Sequence, residues 1–133
     1  MIAFFALTCG SSTARAAYPQ TMTTNSSLVN LPRPNDDPRW AKAFAHWDKR
    51  GETEEVEAAL SIIEKIAQDK PDCFEAQLWL CRAYYLMAVR KRGDKYFSEK
   101  GIAAGDAALK IKPGDYAAMV WRFSCLLLSR DLT

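Results

Sequence analysis

Four cysteines and one histidine are the residues of this 133-residue chain best suited to metal or nucleophilic chemistry, and their spacing speaks against both. There is no C-x-x-C pair, and His46 has no cysteine or second histidine at ligand spacing, so no zinc site can be assembled from the sequence. Cys81 and Cys125 fall in apolar helical runs, where a free thiol packs as a small hydrophobe. Cys73 stands near a helix start, where the helix dipole favours the thiolate, and is the more reactive candidate. A single disulfide among Cys73, Cys81 and Cys125 stays open as an alternative in an oxidising compartment. His46, beside Trp47, reads as a partly buried helix residue, because no serine or cysteine nucleophile pairs with it. Arg90-Lys91-Arg92, with Lys95 and Lys100, is the densest basic run, and a helix C-terminus that favours cations accounts for its first three residues. Glu54, Glu55 and Glu57 are first-turn charges before they are general acids or bases. No catalytic, cofactor or metal constellation emerges, so the chain is not expected to be an enzyme.

The elements that would carry such residues follow from composition and punctuation. Apolar residues make up 49% of the chain and charged residues 26%, enough for one small domain with one core. The net charge of +2 is spread without a long basic stripe, so nucleic acid is not an expected partner. Residues 1–16 differ from the rest: Met1 to Leu7 is almost wholly apolar, and Ala14-Arg15-Ala16 before Ala17 has the small-x-small form that signal peptidase cleaves. An exported protein is the expectation. No Lys or Arg precedes Phe4, so the leader reads as lacking its first residues. Cys9 offers the alternative of a lipid anchor, although Ala6-Leu7-Thr8-Cys9 fits the acylation motif poorly. No other stretch approaches the roughly 18 consecutive apolar residues that a membrane span needs. Residues 17–35, rich in Thr, Asn, Ser and Pro, read as a flexible linker, and 36–133 as the folded domain.

Five helices are expected in that domain. Asp36-Asp37-Pro38 opens the first, which carries Trp40, Phe44 and Trp47 on one aromatic face and stops near Gly51. Thr53 and the following glutamates open the second, with Val56, Leu60, Ile63 and Ala67 on one face and Pro71 as its stop. Asp72-x-x-Glu75 has the form of a capping box for a third helix that runs toward Gly93 and is apolar on more than one face, as a helix between neighbours should be. A fourth, from Tyr96 to Ile111, carries Gly101, Ala104, Gly105 and Ala108 on one stripe. Glycine costs about 1 kcal/mol there relative to alanine, so close helix approach is its expected reason. A fifth begins after Asp115 and is nearly continuously apolar from Met119 to Leu128. Such a helix needs a cover, either another subunit or the continuation of a longer protein, and the second is the expectation.

The arrangement repeats. Asp69-Lys70-Pro71-Asp72 leads to Trp79, and Ile111-Lys112-Pro113-Gly114-Asp115 leads to Trp121, at an offset of about 42 residues. Trp79-Leu80-Cys81-Arg82-Ala83-Tyr84 and Ala107-Ala108-Leu109-Lys110-Ile111-Lys112-Pro113 resemble tetratricopeptide repeats, with the tryptophan shifted by two positions and the unit longer than the usual 34 residues. The resemblance implies an all-α fold of antiparallel hairpins stacked as a divergent right-handed solenoid. Within that superfamily, Trp47-Asp48-Lys49-Arg50-Gly51, Ala58-Ala59-Leu60, Ala83-Tyr84-Tyr85-Leu86-Met87-Ala88 and Lys100-Gly101-Ile102-Ala103-Ala104 resemble the T component of tetratricopeptide-associated TRAP transporters. Those periplasmic proteins are often lipid-anchored, are thought to oligomerise, and are thought to partner a periplasmic solute-binding protein. The resemblance implies a concave partner face formed by Glu75, Leu78, Arg82 and Tyr85, with no cofactor. An alternative is a small hydrophobic ligand carrier whose groove or pore is lined by Trp40, Trp47, Trp79 and Tyr85.

Overall fold

A computed structural model of the chain describes residues 28, 30–92 and 94–131. The expectations for the leader, its cleavage site, Cys9 and most of the linker lie outside the described residues. Within them the fold is all-helical: α1 Arg39–Trp47, α2 Thr53–Asp69, α3 Phe74–Arg90, α4 Lys95–Ile111 and α5 Tyr116–Asp131. The connections are so short that helices adjacent in the chain must run antiparallel and pack on each other. The packing follows that order, α1 on α2, α2 on α3, α3 on α4 and α4 on α5, and α3 also meets α5.

Local chemistry sets the helix ends. The Asp37 carboxylate accepts the Arg39 backbone N–H at 2.9 Å, Asp94 accepts that of Tyr96 at 2.9 Å, and Asp115 accepts that of Ala118 at 3.0 Å. Each satisfies a donor that the first turn leaves without a helical acceptor. The capping box expected at Asp72 and Glu75 does not form: Cys73 is the N-cap of α3 and makes no side-chain cap. The register starts one residue later than the motif implies, and Glu75 points into the interior at 8% exposure. After α4 the chain reverses through Gly114 at φ +83°, a left-handed conformation that glycine reaches without Cβ strain.

Trp40 stacks on Phe44 with ring centroids 5.4 Å apart, and Trp79 of α3 meets Phe44 edge-on at 4.9 Å and Trp47 at 5.6 Å. This aromatic group forms the core between the first hairpin and α3, joined by Val56, Ile63 and Ile66 from α2. Burying side chains of this size stabilises by about 1.5–3 kcal/mol each. Residues 30–34, which composition assigns to the linker, pack on this core. Leu31 is buried, Pro32 accepts a hydrogen bond from Trp79 Nε1 at 2.9 Å, and the Arg33 guanidinium lies 4.7 Å above the Phe44 ring. Arg33 also grips Asp48 through two hydrogen bonds of 3.3 and 2.7 Å.

The start of α1 is tied to the end of α2 by charge. Arg39 bonds Asp37 at 2.8 Å and Asp69 at 2.7 Å, while Lys70 reaches Asp36 at 3.2 Å and Asp37 at 3.4 Å. On the far side of α3, the small stripe of α4 does what its glycines suggest. Gly101, Ala104, Gly105 and Ala108 are all buried, with Gly101 against Cys125 and Tyr84 and Gly105 against Arg122. The opposite face of α5 carries the exposed side chains Tyr116, Met119, Phe123 and Leu127. No helix among the described residues is long and apolar enough to cross a membrane.

Candidate functional site

An open cleft of about 390 Å³ lies between α2, α3 and α4. Glu64, Ala67 and Gln68 come from α2, Gln77, Leu80 and Tyr84 from α3, and Tyr96 and Lys100 from α4. A smaller hollow of about 180 Å³ shares Gln77, Leu80, Tyr84 and Lys100 with it and continues to Ala103 and Ala104. Three helices build it because α2 and α4 both pack on α3 without filling the space above Leu80. The larger volume falls in the range of ordinary ligand pockets, and its walls mix carboxylate, amide, ammonium and aromatic groups.

Tyr84 forms the floor. It is 4% exposed, and its hydroxyl donates to Glu64 Oε2 across the α2–α3 seam. Burial, and the carboxylate that accepts the bond, raise the Tyr84 phenol well above its ordinary value. The hydroxyl therefore stays protonated and stays a donor. Gln77 gives an amide N–H to the Pro71 carbonyl at 3.2 Å, which fixes the side chain at the top of α3. At the rim, Tyr96 is 52% exposed, and the Lys100 ammonium sits 5.7 Å from its ring centroid.

The residues that the resemblance assigns to a concave face sit elsewhere. Glu75, Leu78 and Arg82 are 8%, 4% and 8% exposed, and Tyr85 is half-buried against Trp121 with ring centroids 5.3 Å apart. Arg82 and Tyr85 do come together, because both touch Trp121. The Arg82 guanidinium lies 5.0 Å from the Trp121 ring, 5.3 Å from Trp47 and 5.6 Å from Trp79, a cation held by three indoles. Burial, with Arg50 and Arg33 nearby, lowers its pKa to about 10. The buried indole nitrogen of Trp121 has no hydrogen-bond acceptor.

The cysteines divide. Cys81 and Cys125 are free, buried thiols at the α3–α5 contact, where Cys125 Sγ donates to the Cys81 backbone carbonyl at 3.9 Å, and the neighbouring Cys125 and burial raise the Cys81 thiol far above its ordinary value. Cys73 is buried and disulfide-bonded, so it presents no reactive thiolate. His46 Nδ1 meets Glu55 Oε1 at 2.7 Å and joins α1 to α2. Arg90, the first of the basic run, donates to Thr53 Oγ1 and to the Arg50 carbonyl and so has a structural task in the α2–α3 seam.

Sequence reasoning did not find the cleft. Glu64 and Tyr84 are twenty positions apart, and although Tyr84 closes the Ala83-Tyr84 string of the repeat resemblance, Glu64 belongs to no motif. The one available signal was a glutamate beside the apolar face of α2, between Ile63 and Ile66. No family model, curated protein or solved structure matches the chain.

Proposed function

We propose that this chain is a tetratricopeptide-like helical-repeat module that binds another protein through the cleft between α2, α3 and α4. The carrying observation is the open mixed-polarity cleft itself, with an exposed aromatic rim at Tyr96. Stacked helical hairpins characteristically use such surfaces for recognition. The motif resemblance extends the reading: an exported protein, the accessory T component of a TRAP uptake system, that docks a periplasmic solute-binding protein. The alternative of a hydrophobic carrier draws less support from the aromatic residues. Trp40, Trp47 and Trp79 are buried and packed ring against neighbouring ring.

The test is in-cell photo-crosslinking of the tagged full chain with the photoreactive residue at position 96. Capture of a solute-binding protein supports the transporter version. Capture of a different protein supports docking and sinks that version. Recovery of the chain's own copies alone removes hetero-docking and directs attention to the exposed face of α5.

A further inference from the structure

We propose that the cleft recognises a basic side chain, the ammonium of a lysine or the guanidinium of an arginine, presented by the docked protein, and that Glu64 is the residue that pairs with it. The inference rests on the docking function above and names the chemistry of its partner.

The argument starts from the other acids of α2. Glu55 is paired with His46 at 2.7 Å, Glu57 with Lys91 at 3.5 Å, and Asp69 with Arg39 at 2.7 Å. Glu64 differs. Among the described residues no cation pairs with it, and its bonded neighbour is the neutral phenol of Tyr84. Lys100 lines the same cleft, yet its ammonium rests over the Tyr96 ring instead of on the carboxylate. A half-buried carboxylate that is held by a buried donor and has no counter-ion is electrostatically incomplete, and a cation delivered from outside completes it.

The surroundings suit a basic side chain more than a bare metal ion or a neutral group. No group of three or more His, Cys, Asp or Glu among the described residues could hold a metal. The amide oxygens of Gln68 and Gln77 supply further acceptors, and a guanidinium or ammonium carries enough N–H donors to use several at once. Ala67, Leu80, Ala103 and Ala104 offer an apolar wall for the methylene stem of such a side chain. The exposed Tyr96 ring already attracts one cation, the chain's own Lys100. That lysine therefore competes with the incoming charge both for the ring and by repulsion, and it acts as a built-in counterweight on affinity.

The experiment is an NMR titration of the full chain with three capped residues: N-acetyl-lysine methylamide, N-acetyl-arginine methylamide and the uncharged isostere N-acetyl-norleucine methylamide. Cadaverine serves as the free-amine probe. The lysine and arginine probes are expected to shift resonances around Glu64, Leu80 and Tyr96, binding about tenfold or more tightly than norleucine, with loss of that advantage in Glu64→Gln. Lys100→Met is expected to tighten both severalfold, and its direction keeps the test decisive should the Glu64 variant fold poorly. Equal binding of norleucine overturns cation recognition while leaving protein docking in place. Binding of cadaverine without the capped residues overturns it in favour of a small amine. No binding by any probe, with Lys100→Met unchanged as well, overturns it outright. Capture of only the chain's own copies in the crosslinking experiment, with lysine binding intact, separates failure of the docking function from failure of this site.

Discussion

Gly101 of α4 and Cys125 of α5 meet so closely that a β-carbon on the glycine would stand 2.4 Å from the cysteine sulfur and 3.3 Å from the β-carbon of Tyr84. The gain in helix propensity from alanine, about 1 kcal/mol, opposes an overpacking cost of about 1–3 kcal/mol. Because the Tyr84 contact leaves little room to relax, the cost prevails, and Gly101→Ala is expected to lower the melting temperature by several degrees. Thermal melts of the single variants and of Gly101→Ala/Cys125→Ala check the mechanism: removing the sulfur should make the glycine substitution less harmful than it is alone. An additive double variant would refute the contact as the cause.

Arg82 should behave as a packing residue. Arg82→Ala removes the cation between Trp47, Trp79 and Trp121 and leaves a void among them, at a cost of about 2–4 kcal/mol. Arg82→Lys keeps the charge but loses the planar guanidinium that stacks on indoles, so its stability should lie between the two. Urea unfolding followed by tryptophan fluorescence reads both effects.

Acid should loosen the junction of α1 and α2. The Arg39 guanidinium and backbone N–H, with Lys70 behind them, hold the Asp37 carboxyl far below its ordinary value of 3.8. A depressed folded-state pKa means that the stabilisation is complete above the unfolded value and drains away as pH falls toward the folded one. The wild-type protein is therefore expected to lose stability steadily below about pH 4, and Asp37→Asn, less stable at neutral pH, should show a flatter acid limb. Denaturant midpoints measured from pH 7 down to pH 2 give the comparison.

The buried thiols should be silent in the folded protein. Cys81 and Cys125 have no exposed surface, and Cys81 resists ionisation. Alkylation at either position is expected to be about a hundredfold slower in native buffer than in denaturant, since reagent access requires α5 to separate from α3. Peptide mapping after timed labelling distinguishes these two sites from the other cysteines.

How much was legible in the residues varied with the range of the interaction. Helix positions were readable because their determinants are local: Asp37 and Asp115 cap, Pro71 and Pro113 stop, and each acts within a few residues of the boundary. The all-round burial of α3 was readable from its apolar composition, and the glycine stripe of α4 from the cost of placing glycine in a helix. The cleft was not. It depends on how far apart α2 and α4 stand on α3, a property of three packed surfaces that no single segment encodes. The surroundings of Arg82 were not legible for a related reason, because the Trp47 and Trp121 rings that lie against it come from other helices.

The hydrogen bond from Trp79 to Pro32 also decides how force enters the molecule. A pull arriving through residue 30 reaches Pro32 before the first turn of α1, and passes there to the indole of the helix on which α2, α4 and α5 all pack. The bidentate Arg33–Asp48 pair shares the load at the other end of α1. The segment before α1 is thus fastened to the central helix and not to an edge of the stack.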